Sequence, residues 1–252
     1  MNFSIIIPTF NEENFLPKLL KSIKKQDLNP SEIIVADNNS TDSTKKIALK
    51  YGCKVIKGGG PGEARNLGAR AANSEILIFI DADVILDSKT FFRDILDSFI
   101  SEDLDIASCF ARSQLETNLL GKIVINGANL RKILNNLYYK TLGGLTSASG
   151  WFMIVRKDVF SQLNGFKQEL DGIIEDSDFF IRAVENNFRF KCLPHKVSLS
   201  ARRYEKRGIR EILMISSYML SYHLVKNFSK DLSKKYLFRY KNLKGELGGL
   251  GI

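Results

Sequence analysis

Cysteine, histidine and long apolar runs are scarce in this chain of 252 residues, and each scarcity excludes a class of protein. The three cysteines, Cys53, Cys109 and Cys192, are odd in number and far apart, so neither a disulfide framework nor a zinc site is predicted. They are expected to be free thiols of a reducing cytoplasm. No run approaches the roughly 18 to 20 apolar residues that cross a bilayer. The N-terminus also lacks the basic start and cleavage site of a signal peptide.

The net charge of +9 is concentrated near the C-terminus. Residues 202–244 hold twelve Lys or Arg against three Asp or Glu, which equals the whole excess. A basic segment of this kind favours an anionic partner, such as substrate phosphates or anionic lipid. Its apolar stretch 209–222 fits either a helix packed on the sheet or a helix lying on an anionic membrane. Nucleic-acid binding is not expected, because no recognised module is present.

Two acidic residues follow the most apolar segment of the chain. Residues 76–80 form an apolar run typical of a strand buried on both faces, and Asp81 and Asp83 come directly after it. On an extended chain, this spacing would point both carboxylates to the same side. A divalent cation is the obvious counter-ion for such a pair. A turn after a strand, where Asp is common, is the alternative interpretation.

Strand-like and helix-like segments alternate through the first 84 residues. The pattern predicts strands at 3–7, 33–35, 53–56 and 76–80, with helices at 16–23, 44–51 and 63–72 between them. Such alternation predicts an α/β fold with a mostly parallel central sheet flanked by helices. Right-handed crossovers bring the carboxyl ends of these strands to one edge, so the turns that follow them should converge on a single site.

The glycine-rich turn at 58–62 does not have the sequence of a nucleotide-binding loop. It lacks the Lys-Ser/Thr of a P-loop and the Gly-x-Gly-x-x-Gly of a dinucleotide site, since position 63 is Glu. Neither a nucleoside-triphosphatase nor a nicotinamide site is therefore predicted.

Several short motifs occur in a recognisable order. They are residues 7–12 (IPTFNE), 37–42 (DNNSTD), 62–68 (GEARNLG), 81–83 (DAD), 149–152 (SGWF) with Arg156 and 160–166, and 175–178 (EDSD). In this order and spacing they resemble the family 2 glycosyltransferases, which have the GT-A fold. The resemblance covers about residues 3–204. It implies a GT-A catalytic domain at 1–204, made of a nucleotide-sugar-binding half (1–100) and an acceptor-binding half (101–204). A basic helical extension and tail follow at 205–252.

The resemblance implies a set of donor-binding residues in the first half of the chain: Pro8, Thr9, Glu12, Asp37, Asn38, Arg65, Asp81, Ala82 and Asp83. Asn38 stands where the family usually has the second of two acids, so the nucleotide base is left open. Arg65 is implied to lie near the diphosphate; a surface ion pair with Glu63 or Asp42 is the alternative. Asp83, with Asp81 beside it, is implied to hold Mg²⁺ or Mn²⁺, the hard cations that suit oxygen ligands.

The resemblance also implies the residues on the acceptor side. Asp176 is implied to be the catalytic base, with Asp178 as the fallback and Glu175 as an orienting residue. Trp151 is implied to line the acceptor pocket, although a lone Trp in an apolar run is as often a core residue. Arg202 and Arg203 match a segment that closes near the diphosphate in related enzymes.

These expectations together describe a cytoplasmic glycosyltransferase, peripheral at the inner face of the cell membrane. It would transfer a sugar from a nucleotide-diphospho-sugar to a hydroxyl of a glycan or lipid-linked acceptor, with inversion. Two alternatives stay open: a nucleotidyltransferase, and a non-catalytic nucleotide-sugar-binding or membrane-surface protein. The sequence leaves open the donor sugar, the acceptor and the oligomeric state.

Overall fold

The computed structural model describes residues 1–114, 117–138, 150–170, 174–200 and 202, with the backbone alone at 131 and 134–138. The chain divides into two compact units, Met1–Ala201 and Arg202–Ile252, and every element named below belongs to the first. The predicted extension at 205–252 lies outside the described residues, so the predicted division at 204 stays a prediction. In the described part, no helix has the length and apolar character needed to cross a membrane.

The first half of the fold alternates strands with helices, as the sequence predicts. The elements are β1 (Phe3–Thr9), α1 (Leu16–Lys24), β2 (Glu32–Asp37), α2 (Thr44–Lys50), β3 (Lys54–Lys57), α3 (Pro61–Ala71) and β4 (Ile76–Ile80). All five residues of β4 are buried, which matches its continuous apolar sequence.

The second half is less regular. Its elements are β5 (Val84–Ile85), α4 (Phe91–Ser101), β6 (Ile106–Ser113), α5 (Leu119–Tyr138), β7 (Phe152–Arg156), α6 (Lys157–Gln162), a 3₁₀ turn (Gln168–Leu170), α7 (Glu175–Glu185) and β8 (Phe190–Leu199). Strand β8 is continuous from Phe190 to Leu199 and pairs with β6 on both sides of an irregularity between Cys109 and Phe110.

The strands form one eight-stranded sheet in the order β3-β2-β1-β4-β7-β6-β8-β5. The β1–β4 half is entirely parallel, as predicted. Strand β7 then runs antiparallel to both β4 and β6, and β5 runs antiparallel to β8. The insertion of β7 brings the start of its strand beside the end of β4, so residues 150 and 151 lie next to Asp81.

Helices pack on both faces of this sheet. On one face, α3, α6 and α7 enclose an aromatic cluster in which Phe166 stacks on Phe179 at 4.8 Å between ring centroids. On the other face, Phe3 meets Phe92 of α4 at 5.2 Å. Burial of both faces makes the strand register strongly determined, because a slip by one residue would exchange the two sets of side chains.

Helix α3 approaches β1 unusually closely through Gly68. A Cβ atom added at Gly68 would stand 2.3 Å from Cγ2 of Ile6, whereas one added at Gly127 of α5 would meet nothing within 4 Å. We expect Gly68→Ala to lower the free energy of unfolding by about 1 to 3 kcal/mol, the usual cost of overpacking a core. Gly127→Ala, the matched control, should raise it by about 0.5 to 1 kcal/mol, since Ala favours a helix interior. Urea denaturation measures both, and equal effects would contradict the close approach.

Candidate active site

The loops that follow β1 and β2 are joined at the edge of the sheet. Thr9 at the end of β1 donates a hydrogen bond from Oγ1 to Oδ1 of Asp37, at the end of β2, over 3.0 Å. Asp37 also accepts from the backbone N–H and the hydroxyl of Ser40. Its carboxylate is buried, so these bonds hold it in one orientation. Pro8 and Asn38 flank this pair, and each is partly exposed.

Reciprocal hydrogen bonds extend this junction along both loops. Asn11, at a left-handed φ of 53°, accepts from the Thr41 N–H, and the Glu12 N–H donates to Thr44 Oγ1 over 2.7 Å. Burial alone raises the pKa of Asp42, but its hydrogen bonds with Thr44 and with the Glu13 N–H outweigh this and lower it. Hydrogen bonds within the protein therefore fix the conformation of the loops that follow β1 and β2.

Asp81, Ala82 and Asp83 form a turn between β4 and β5. The Val84 N–H donates to the Asp81 carbonyl over 3.1 Å, and β4 ends at Ile80. The expected extended geometry is therefore wrong, because the chain must reverse here to pair β5 with β8. Asp83 is 5% exposed, and its carbonyl accepts from Ser200 N–H and Gln114 Nε2.

Arg65 joins the two halves of the site. Its Nη2 donates to Asp81 Oδ1 over 2.8 Å, and its Nη1 donates to Glu175 Oε1 over 3.0 Å. The side chain is buried, so neither predicted surface pairing, with Glu63 or with Asp42, is the one observed. Burial by itself lowers the pKa of Arg65, but the negative charges of Asp81, Glu175 and Asp176 outweigh it and raise the pKa. One positive charge thus faces three carboxylates, and the group keeps a net negative charge.

The acidic start of α7 separates into two environments. Asp176 is half-buried; its Oδ2 accepts from the Gly150 N–H and its Oδ1 from the Ser177 N–H, each over 2.7 Å. Asp178 is fully buried and paired with Lys167 at 3.1 Å and Arg182 at 2.6 Å. The structure therefore does not support Asp178 as an acceptor contact or as the fallback base. Both of its carboxylate oxygens are buried and form ion pairs, one with Lys167 and the other with Arg182.

Gly150 and Trp151 connect these groups through the backbone. The Gly150 carbonyl accepts from Arg65 Nη2 over 3.4 Å, and the Trp151 carbonyl accepts from the Asp81 N–H over 3.0 Å. Trp151 is 6% exposed, so it is packed like a core residue although it borders the site.

Three buried polar atoms in this region have no hydrogen-bond partner among the described residues. They are Arg65 Nε, Trp151 Nε1 and Ser177 Oγ. Buried donors are nearly always satisfied in native proteins, so each of these three atoms can bond with a further group.

Comparison with known proteins identifies the family. The model described as "Glycosyl transferase family 2" matches residues 4–163. This chain is a family 2 glycosyltransferase. The family match gives no support to the nucleotidyltransferase alternative.

The relatives of this glycosyltransferase include characterised enzymes. The poly(ribitol-phosphate) beta-N-acetylglucosaminyltransferase TarS of Staphylococcus aureus is 25% identical over 247 residues, which cover 94% of this chain but 38% of TarS. The O-antigen chain rhamnosyltransferase WbaN of Salmonella anatum is 28% identical over 203 residues, covering 75% of this chain and 62% of WbaN. The chain thus spans less than two-fifths of the TarS sequence.

Solved structures agree on the fold. TarS in complex with UDP superposes with a TM-score of 0.61 at 25% identity, over 79% of this chain and 60% of that one. The mannosyltransferase PcManGT of Pyrobaculum calidifontis, in complex with GDP-Man and Mn²⁺, superposes with a TM-score of 0.69 over 90% of this chain and 64% of that one. At 20% identity, the similarity to PcManGT shows a shared fold and nothing further. The predicted GT-A fold is confirmed.

A metal ion would have few protein ligands in this glycosyltransferase. No group of three or more His, Cys, Asp or Glu side chains able to hold a metal occurs in the part of the chain that the structure describes. Asp83 and Asp81 nevertheless suit Mg²⁺ or Mn²⁺, which usually take one or two carboxylates and complete their shell with substrate phosphates and water. The net negative charge around Arg65 also favours a cation here. The residues therefore fit an ion shared with a diphosphate and do not fit a closed protein cage.

One contact beside the site goes beyond the sequence predictions, and one pair of predicted residues stays a prediction. Arg202 is partly exposed, and its predicted neighbour Arg203 lies outside the described residues, so both stay predictions. Lys132 of α5, by contrast, has its ammonium 4.1 Å from the ring centroid of Trp151 and was not predicted. The only sequence feature that could have pointed to Lys132 is a lysine within an apolar helical segment. A lysine on the solvated face of a helix gives the same sequence pattern.

Proposed function

We propose that this glycosyltransferase moves a sugar from a nucleotide-diphospho-sugar to a hydroxyl acceptor, with inversion at the anomeric carbon. The observation that carries the proposal is the buried link from Asp81 through Arg65 to Glu175. It joins the carboxyl end of a parallel strand, where α/β folds bind nucleotides, to the acidic start of α7, where a base can meet the acceptor. The link supports a single site in which the donor and the acceptor would meet.

The donor is proposed to lie over the joined β1 and β2 loops. Thr9, Asp37 and Asn38 offer hydroxyl, carboxylate and amide groups that suit a base and ribose. TarS is solved with UDP and with UDP-GlcNAc, which supports a nucleotide-diphospho-sugar as the donor class here. The mixed donor and acceptor character of Asn38 leaves the base open.

The diphosphate leaving group is proposed to depart beside Asp83. A divalent ion held there by Asp83 and Asp81 would neutralise the charge that develops on the diphosphate. Arg65 orients Asp81 through their ion pair and adds positive charge at the same place. Because the Arg65 pKa is raised, its charge is constant over the whole working pH range.

Asp176 is proposed as the general base. Two backbone N–H groups hold its carboxylate, and partial exposure leaves it accessible from the site. As the acceptor oxygen attacks the anomeric carbon, its proton passes to Asp176 and the bond from that carbon to the diphosphate oxygen breaks. Attack from the face opposite the leaving group gives inversion.

The acceptor is proposed to be a growing glycan or a lipid-linked carrier. The relatives act on polymers and lipid-linked glycans by name, among them poly(ribitol-phosphate), an O-antigen chain and a GalNAc(5)-diNAcBac-PP-undecaprenol. Trp151 borders the proposed acceptor side through its backbone, which contacts Asp81, while its side chain is packed in the protein.

Peripheral binding to an anionic membrane is proposed to accompany this acceptor. Helix α5 exposes four large aliphatic side chains, Leu119, Ile123, Leu130 and Ile133, at 46–75%. At about 100° per residue they fall on one stripe, and residues 117–157 contain no Asp or Glu. An apolar stripe in an acid-free segment suits a negatively charged lipid surface.

Flotation with vesicles tests this association. The double variant I123D/L130D should lose binding to vesicles that contain phosphatidylglycerol, whereas L49D, which changes an equally exposed leucine on α2, should keep it. Binding that is unchanged in I123D/L130D would place the contact elsewhere, and absence of binding at low salt by the parent protein would reject the association.

The donor and the metal are tested together by thermal shift. The parent protein should be stabilised by one nucleotide-sugar of a panel only when Mg²⁺ or Mn²⁺ is present, by about 2.7 kcal/mol at a ligand concentration of 100 Kd. Asp83→Asn should lose the metal-dependent part, and Asp87→Asn, which changes a surface ion pair with Arg112, should retain it. Equal stabilisation of both variants would show that the metal assignment is wrong. Donor binding without transfer to any acceptor would favour the non-catalytic alternative.

A further inference from the structure

Lys132 of α5 is a buried cation that packs against Trp151, a residue that borders the candidate site. Its side chain is 1% exposed, and its ammonium donates to the Cys109 carbonyl over 2.5 Å and to Ser108 Oγ over 3.4 Å. The ammonium also lies over the indole ring of Trp151, at 4.1 Å from the ring centroid. Burying a lysine is costly, so these contacts are needed to hold the ammonium in place.

Trp151 is well placed to transmit the effect of Lys132 to the reacting groups. Its carbonyl accepts from the Asp81 N–H, and the preceding residue, Gly150, binds both Asp176 and Arg65. Space around Gly150 is tight: a Cβ added there would stand 3.1 Å from Asp176 Oδ2 and 3.2 Å from Arg65 Nη2. A displacement of Trp151 would therefore move a backbone segment that touches the donor side and the proposed base at once.

The position of α5 does not depend on Lys132 alone. One turn earlier, Asn129 accepts from the Ala111 N–H over 3.0 Å and donates to the Ala111 carbonyl over 2.5 Å. This pair ties α5 to β6 without involving Trp151. The helix should stay docked when the Lys132 charge is removed, so the effect on Trp151 can be measured separately.

We propose that Lys132 is a positioning residue that holds the Trp151 indole, and through it the Gly150–Trp151 backbone, in the arrangement that acceptor transfer requires. The assignment of Trp151 to the acceptor side rests on the proposed function; the hold of Lys132 on the indole does not. A desolvated cation–π contact is worth a roughly 30-fold change in a conformational equilibrium, enough to decide whether the indole keeps one orientation.

Fluorescence tests the physical part of the proposal, because Trp151 is the only tryptophan of the chain. Emission excited where tyrosine does not absorb should shift in Lys132→Met, and acrylamide quenching should rise by at least about twofold as the indole loses its fixed position. Lys132→Arg keeps the charge and should restore most of the parental signal. Val159→Ala, a core truncation in α6, controls for general destabilisation and should leave the emission unchanged.

Kinetics test the functional part. Lys132→Met should lower kcat/KM for the acceptor by about tenfold, and Lys132→Arg should recover most of the loss. In a double-mutant cycle, Trp151→Leu should mask the effect of Lys132→Met, because the two act through one contact. Trp151→Leu also provides the test if Lys132→Met does not fold, since it removes the same contact from the other side.

The outcomes separate the two proposals. Unchanged emission and quenching in Lys132→Met would overturn the positioning role, whatever the enzyme transfers. The link to acceptor transfer would be overturned if the emission changes but the effects of Lys132→Met and Trp151→Leu on kcat/KM are additive. It would also be overturned if Val159→Ala lowers kcat/KM as much as Lys132→Met does. A changed emission in a protein that transfers no sugar at all would instead reject the proposed function and leave the hold on Trp151 intact.

Discussion

Asp176→Asn is expected to reduce the transfer rate about 1,000-fold, within the range that positioned general bases contribute. Donor binding should stay near the parental value, and the free energy of unfolding should fall by about 1 to 3 kcal/mol because one backbone N–H group loses its acceptor. The amide cannot take the acceptor proton, but it preserves the size of the side chain and one acceptor for the Gly150 and Ser177 N–H groups. Rapid-quench transfer assays at saturating donor, combined with calorimetric donor titration, separate chemistry from binding.

Asp178→Asn is the matched control for this experiment. Asp178 lies two residues further along α7 but is fully buried between Lys167 and Arg182. Its substitution should lower the free energy of unfolding by about 3 kcal/mol, as expected for breaking a buried pair, with a smaller loss of transfer in the fraction that stays folded. If Asp176→Asn retained transfer and Asp178→Asn lost it at an unchanged midpoint, the base would have been assigned to the wrong carboxylate.

Arg65→Met should be the most destabilising substitution in the site, by about 3 to 5 kcal/mol in free energy of unfolding. The methionine fills the volume but leaves Asp81 and Glu175 buried without the cation that binds both. Transfer should be lost as well, because Asp81 is then no longer oriented. Denaturant unfolding gives the stability, and the matched control is Arg70→Met, on the same helix with an exposed side chain.

A second variant shows whether charge is the cause. Adding Glu175→Gln to Arg65→Met removes one of the uncompensated carboxylates, so the double variant should be more stable than the single variant. Coupling of at least about 0.5 kcal/mol is expected for residues in direct contact. Equal stability of Arg65→Met and Arg70→Met would contradict the buried ion-pair link between the two halves.

Much of the fold could be predicted because it depends on local pattern. The strand at Ile76–Ile80 is apolar throughout, and the alternation before it leaves little choice but a parallel sheet. These features follow from side-chain periodicity and burial, which a sequence carries directly.

Predictions failed where two distant segments had to meet. The extended geometry expected for Asp81 and Asp83 was wrong because β5 must turn back to pair with β8, a long-range contact. The alternative for Arg65, a surface ion pair with Glu63 or Asp42, is not observed for the same reason: its partner Glu175 lies 110 residues away along the chain. The burial of Asp178 depends on its ion pairs with Lys167 and Arg182. No local sequence pattern shows that this aspartate is buried and its neighbour Asp176 is accessible.

By itself, the sequence determined the family, the alternation of strands and helices, and the residue types that a metal-assisted transfer would need at the strand ends. Only the tertiary structure decided which acid of 175–178 is accessible, which acids share Arg65, and that Lys132 stands behind Trp151. The reason is physical. Periodicity and residue chemistry are properties of neighbours along the chain, whereas burial and charge pairing arise only when segments far apart in sequence pack together.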